Sequence, residues 1–472
     1  MESWFYMSNI ESFNWKKNLP LFIVLMSGAF ITILNQTLLG TALPPIMEDL
    51  QLSESTAQWL QSVFMLVNGI MIPITAFLID KFTNRGLFMT AMGLFTFGTL
   101  LCAIAPQFSI LLIGRIFQAS GAGIMMPLMQ TILFLLFPIE RRGTAMGLFG
   151  LIIAFAPAVG PSLSGWLVDQ FPWRSVFYVV LPIAVLNLIT AYFLLKNMTE
   201  QKNPKLDLVS IILSTIGFGG ILYGFSVAGD LGWTNIQVIG TIIIGGISLY
   251  IFIKRQLRLE QPILEFRVFS YKTFTLATIL GMIVFAAMIG TNVILPLYMQ
   301  NMLGYSALHS GLVLLPGAII MGIMNPITGY LFDHFNGKWL GVIGLFLLTV
   351  TTFAFGFLSE ETTFAYLATM NAIRMVSIAM VMMPMTTLAL NQLPDHLIPH
   401  GTAMNNTFRQ SAGAIGTAVF VTVMATAAIP EKAVEGMIHG VNVSFMFAGI
   451  LAAIGFILSF RIKDDRKGIG NH

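Results

Sequence analysis

Apolar residues fill this chain in long blocks, separated by short stretches that hold its charges and turn formers. A bilayer core needs about 20 apolar residues per helix. Breaking the chain at the charged and turn-forming segments predicts fourteen such helices, at 19–43, 56–79, 86–105, 108–137, 144–168, 175–195, 207–228, 235–254, 273–299, 308–332, 339–358, 364–392, 401–428 and 442–461. Residues 1–18 are polar and aromatic and end in Lys16-Lys17. The apolar run behind them is too long for a signal-peptide core, so it is expected to be the first span.

Composition agrees. Of 472 residues, 56% are hydrophobic and 10% charged, with a mean hydropathy of +0.83. Soluble domains carry about 25% charged residues, so much of this surface must face lipid. Cys102 is the single cysteine, which excludes a disulfide framework and a cysteine-rich metal site. No metalloprotease, P-loop, nucleophile-elbow or dinucleotide signature stands out, and no cofactor, no nucleic acid and no enzymatic activity are expected.

The basic residues test the helix count. With the N-terminus placed inside, 19 of the 24 Lys and Arg fall in inner segments, Arg174 and Lys432 fall outside, and Arg115, Arg374 and Arg409 lie within spans. Short inner loops enriched in Lys and Arg are the positive-inside pattern. It predicts an even count with both ends cytoplasmic, in the plasma membrane of a bacterium.

An internal repeat organises the spans. Arg115, Met125-Met126-Pro127 and Gly143-Thr144-Ala145-Met146 recur in order as Arg374, Met382-Met383-Pro384 and Gly401-Thr402-Ala403-Met404, at offsets of 257 to 259 residues. Asp80-Lys81-Phe82 recurs as Asp333-His334-Phe335 at an offset of 253. Spans 1–6 therefore match spans 9–14, and spans 7–8 are inserted. The expected organisation is an inner segment 1–18, a six-helix bundle 19–195, a loop 196–206, two inserted helices 207–254, a linker 255–272, a second six-helix bundle 273–461 and an inner tail 462–472. Parallel six-helix repeats are the architecture of the major facilitator fold. The same symmetry in a membrane scaffold would arise from duplication without transport.

The motifs resemble the fourteen-span drug:proton antiporter branch of that superfamily, the EmrB/QacA type, over nearly the whole chain. Ala76, Asp80, Lys81, Asn84 and Arg85 are similar to its loop after span 2. Arg115, Gln118, Gly121 and Gly123 resemble its span-4 motif. Gly147, Ala156, Gly160-Pro161 and Ser164-Gly165 resemble its antiporter motif. Trp173-Arg174 and Leu34-Asn35-Gln36-Thr37-Leu38-Leu39 are similar to two further segments, the latter nearest to the lincomycin-efflux subgroup. The resemblance implies secondary active efflux of small amphipathic drug-like molecules in exchange for protons, by a protein working as a monomer in the lipid bilayer. Export of one lipid-like or metabolite substrate, or a non-transporting membrane sensor, are the other readings.

Charges inside a membrane are costly and are functional by default. Arg115, Arg374 and Arg409 are the candidates, with proton coupling implied for Arg115 by the family. Interface snorkelling, or for Arg409 a structural bond to helix carbonyls, is the other account. The branch usually has an acid in span 1, where this chain has Asn35, and no acid falls mid-span. Asp169, just after span 5, is the first candidate proton carrier. Asn35, Gln36, Gln61, Asn68, Gln118, Gln130, Asn292, Asn325 and Asn371 are expected to line the cavity as sparse polar contacts. Arginines without a central carboxylate favour neutral or anionic amphipaths. At the inner side, Asp80 is expected to cap span 13 near Gly401-Thr402, and Asp333 to cap span 5 near Gly143-Thr144, with the Asp80 contact the stronger because Arg85 shares its loop.

Overall fold

The protein is described by a computed structural model, covering residues 15–462 apart from 196, 198–200, 202, 203, 205 and 336. Most of the expected inner segment and tail, and the side chains of Lys16, Lys17, Lys196, Lys202, Lys205, Lys463, Arg466, Lys467 and Asp230, lie outside the described residues.

Fourteen helices are long and apolar enough to cross a membrane. They are α1 (Trp15–Leu50), α2 (Glu54–Lys81), α3 (Asn84–Ala103), α4 (Phe108–Leu136), α5 (Arg142–Gln170), α6 (Ser175–Leu194), α7 (Leu208–Leu231), α8 (Ile236–Gln256), α9 (Lys272–Asn301), α10 (Ala307–His334), α11 (Gly337–Ala354), α12 (Phe364–Leu390), α13 (Ile398–Ala427) and α14 (Ala433–Ser459). Two limits differ from the sequence expectation by more than four residues. Helix α1 continues through Pro44 and Pro45 to Leu50. Helix α14 starts nine residues early, because its polar first turns pack: Gly436 and Gly440 approach the carbonyls of Ile429 and Met424 too closely for any side chain.

Side-chain caps set many of the starts. Ser53, Thr83, Asp207, Asn235, Ser306 and Thr363 each accept a hydrogen bond from an amide two or three residues on, satisfying one of the donors that a helix start leaves open. Helix α5 has no such cap of its own.

Helices α1–α6 pack together, as do α9–α14. The two bundles meet where α5 lies along α10 and α2 along α13, with α4 and α12 crossing behind them. The α7–α8 hairpin is outside both bundles, and α7 touches α2 and α13. Its own base is tied by Asp207, which accepts from Arg255 Nε at 2.8 Å and Nη2 at 3.1 Å.

Candidate functional site

The start of α5 is capped from the opposite bundle. Asp333, at the end of α10, accepts from Gly143 N and Thr144 N at 2.7 Å each, and from the Thr144 hydroxyl at 2.5 Å. This is the cap α5 lacks locally. The carboxylate can come that close because Gly143, Gly147 and Gly150 present no side chains to α10. A Cβ on Gly147 would lie 2.5 Å from the Asn325 carbonyl and 3.0 Å from Gly329 Cα. Small residues let membrane helices approach to backbone contact. Asn325 completes the seam, donating to the Gly150 carbonyl at 2.8 Å.

The second seam differs from expectation. Asp80 meets α13 through the side chain of His400, 3.2 Å from Nε2, one residue before the Gly401-Thr402 segment. His400 Nδ1 accepts from the Glu265 amide at 3.2 Å, so Nε2 carries the hydrogen and donates to Asp80. Arg85 is turned elsewhere: it donates to the Tyr192 carbonyl at 2.6 Å and stacks on that ring. Asp333 thus meets backbone amides of α5 directly, whereas Asp80 meets a side chain of α13. The repeat holds a signal for the missed residue. His400 precedes Gly401 as Arg142 precedes Gly143, and Arg142 also reaches across, to Asn391 at 3.2 Å and Asp395 at 3.6 Å.

Further in, Thr131 bonds Thr402 at 2.8 Å and Asn406 donates to Gln130 at 2.6 Å. Among the described residues, every hydrogen bond joining α1–α6 to α9–α14 lies toward the end that holds the starts of α5 and α13. We call this the basic end, after its loops. Residues Gly401–Thr407 are continuously buried, whereas Gln410, Ser411 and Ala412 are partly open. The bundles are joined at the basic end and part beyond mid-depth.

The antiporter-like segment is split by this geometry. Its first part, Gly147, packs on the opposite bundle. Its second part packs on α1: Gly160 meets Thr37, and Ser164 donates to the Leu38 carbonyl at 2.6 Å. Pro161 is exposed, and a Cβ on Gly165 would meet nothing within 4 Å; Gly165 is not at a close approach.

In the first bundle Arg115 is buried and fully engaged. Its Nε donates to the Leu60 carbonyl at 3.1 Å, its Nη1 to Gln118 at 2.9 Å, and it lies 4.3 Å from the Phe64 ring centre. Gln118 passes the network on to Thr99 at 2.9 Å and Asn35 at 3.4 Å. Asn35 thus stands two hydrogen bonds from the guanidinium. In the second bundle Arg374 donates to the Ala287 carbonyl at 2.8 Å and to Thr352 at 3.3 Å. No acid pairs with Arg115, Arg374 or Arg409 among the described residues.

The other candidates are dispersed. Asn35, Asn68, Gln118, Asn325 and Asn371 are buried, Gln36 and Gln61 half-buried, and Asn292 exposed. Asn325 and Gln130 belong to the seams. Asp169 is exposed at the far end of α5 and joins no hydrogen bond of the Arg115 network. The acid that does serve at that end is Asp49, which ties Trp173 at 2.8 Å and Arg174 at 3.0 Å.

Residues 25–417 match the family profile of the Major Facilitator Superfamily. The chain is 52% identical over 447 residues to the MFS-type transporter YcnB of Bacillus subtilis, covering 94% of this chain and 95% of that one. It is 41% identical over 460 residues to the lincomycin resistance protein LmrB of Bacillus subtilis, covering 95% and 96%. Among solved structures it is similar to the crystal structure of the human organic anion transporter MFSD10 (TETRAN), with a TM-score of 0.70 over 94% of this chain and 99% of that one. At 15% identity that likeness concerns the fold alone.

Proposed function

Because the chain belongs to the major facilitator superfamily, we propose that it exports small amphipathic drug-like molecules across the bacterial plasma membrane, by alternating access and in exchange for protons. The observation that carries this reading is the one-sided seam. A pore has no reason to close one end with contacts that all join two rocking bundles, and a scaffold has no reason to leave the other end parted. Lys and Arg at the joined end support a cytoplasmic side by the positive-inside rule, and in this reading the conformation is outward-open. The similarity to a lincomycin resistance protein over almost the full length supports a drug-like cargo.

Alternation then requires the cytoplasmic seam to break and the outer parts of the bundles to meet. The contacts at stake are few and polar: the Asp333 cap, the Asp80–His400 pair and the Thr131–Thr402 and Gln130–Asn406 bonds. Each is worth little alone, as a switch between near-equal states demands. Arg115 is placed to bias the first bundle, since its network ties α2, α4, α3 and α1 together. The test is reconstitution into proteoliposomes, with an imposed pH gradient and a fluorescent amphipath followed into the lumen. Accumulation that a protonophore collapses is expected. Equal movement with and without the gradient would overturn proton exchange, and no movement for any of a broad amphipath panel would overturn drug export.

A further inference from the structure

The three membrane arginines are not equivalent. Arg115 has carbonyl, amide and ring partners. Arg374 is completely buried and uses two of its nitrogens, leaving Nη1 without a partner. Arg409 is 4% exposed and donates no hydrogen bond to any described residue, with Nε and Nη1 both buried and unsatisfied. What it touches is the ring of Phe285 on α9, 5.1 Å from the guanidinium carbon. A buried charge without counter-charge or acceptor is the costliest arrangement a membrane interior offers. Structural arginines escape it by bonding helix carbonyls, as Arg115 and Arg374 do. Arg409 does not.

Its position fits a receptor. Helix α13 starts at the basic end, and eleven residues carry it about 16 Å inward, near the middle of a core about 30 Å thick. Arg409 also marks the change from the continuously buried start of α13 to its partly open continuation through Gln410, Ser411 and Ala412. It therefore sits on the floor where the bundles part. Beyond it Gly413 and Gly416 pack α13 closely on α9, against Phe285, Ile289 and Ala286. Arg374 reaches the same stretch of α9, donating to Ala287 two residues past Phe285, so a second uncompensated cation adds to the field there.

Resting on the exporter reading, we propose that Arg409 receives the anionic head of the substrate, a carboxylate or sulfonate on an otherwise apolar body. The head supplies the acceptors that Nε and Nη1 lack and the charge that no side chain provides. The Phe285 ring, 5.1 Å from the guanidinium carbon, supports the charge but offers no hydrogen-bond acceptor of the kind a carboxylate or sulfonate supplies. The apolar body extends outward beside the partly open stretch of α13 that begins at Gln410. A cationic drug meets two like charges and no acid.

The test uses the full-length protein in phosphatidylcholine nanodiscs, with tritiated taurocholate as the anionic probe and tritiated tetraphenylphosphonium as the cationic one. Saturable taurocholate binding is expected in the wild type. Arg409→Gln should weaken it by at least about ten-fold, the scale of one charge-assisted contact, and Arg409→Lys should restore most of it. Tetraphenylphosphonium binding should not weaken in Arg409→Gln, and its melting temperature should not fall, since removing an unpaired buried charge relieves a cost. Unchanged taurocholate affinity in Arg409→Gln would overturn the proposal. So would parallel loss of both probes with a lowered melting temperature, the mark of a structural arginine. Chloride replaced by gluconate separates the sources of the anion: Arg409-dependent chloride binding with no taurocholate binding would overturn the organic head group. If proteoliposomes move no member of the amphipath panel, both probes included, while taurocholate binding still depends on Arg409, the exporter reading fails and the site stands.

Discussion

Asp333 reaches from the end of one bundle to the first amides of the other, accepting from Gly143 and Thr144 at 2.7 Å each. Both carboxylate oxygens are used, and the acceptor is an anion at a helix N-terminus, where the peptide dipoles favour negative charge.

Asp333→Asn keeps the shape and removes the charge and one acceptor. A charge at a helix start contributes about 0.3–1 kcal/mol, up to about 2 when partly buried, so the closed basic end should lose roughly two- to thirty-fold in population. A cysteine at Thr131, in a Cys102→Ala background, should become reactive to a reagent supplied from the basic side. Asp80→Asn should act in the same direction and more weakly. Equal protection of Thr131→Cys in all three backgrounds would remove the gating role from both aspartates.

Glycines of α5 that look alike in sequence should differ sharply. Gly147→Leu forces a side chain into the Asn325 carbonyl and Gly329. Overpacking costs about 1–3 kcal/mol, here charged to the joined state alone, so net transport should drop about five- to hundred-fold while the protein still folds. Gly165→Ala meets nothing and should leave transport unchanged. Transport rates that do not separate the two variants would contradict the seam.

Orientation can be checked directly. In a Cys102→Ala background, Gly232→Cys, in the α7–α8 turn, should react with a membrane-impermeant maleimide added to intact cells, and Thr83→Cys, in the α2–α3 turn, should not. The opposite labelling pattern would invert the molecule.

Asn35→Asp restores a carboxylate to the first bundle, joined through Gln118 to Arg115. In a poorly solvated cavity one added negative charge should raise affinity for cationic amphipaths by about ten-fold, read as competition against a fluorescent cation. An unchanged substrate profile would show that Asn35 does not see the cargo.

At the base of the α7–α8 hairpin the paired Arg255 guanidinium holds the Asp207 carboxyl at about 2, below its ordinary 3.8. A depressed carboxyl stabilises the fold above its unfolded value and loses that contribution as pH falls through the folded one. Asp207→Asn should therefore melt at a lower temperature than the wild type above about pH 4, and the two curves should converge as pH drops toward 2. A gap independent of pH would assign the effect to packing instead.

Apolar block length foretold the helices, because a spanning segment has to be long and apolar whatever its neighbours are. The repeat pairs Asp80 with Asp333 and Gly143 with Gly401, and the Asp333 contact with Gly143 and Thr144 lies across the bundles. His400 is legible only by position, before Gly401 as Arg142 is before Gly143, because a histidine and an arginine share no residue-type pattern. The repeat did not tell Gly147 from Gly165: two glycines read the same until the opposing backbone is known. Asp169 was attractive by elimination, but whether a carboxylate at a helix end is buried depends on the loops around it, which hydropathy does not resolve.

The α7–α8 hairpin touches α2 and α13 alike, so it lies along one of the two clefts between the bundles, and its Trp233 donates to Thr422 of α13 at 2.7 Å. The α5–α10 cleft has no such cover. The molecule is thus two-sided toward the lipid in which it sits: one flank is covered by a separate helix pair, and on the other the bundles close on each other directly, through Gly143 and Gly147 of α5 against α10.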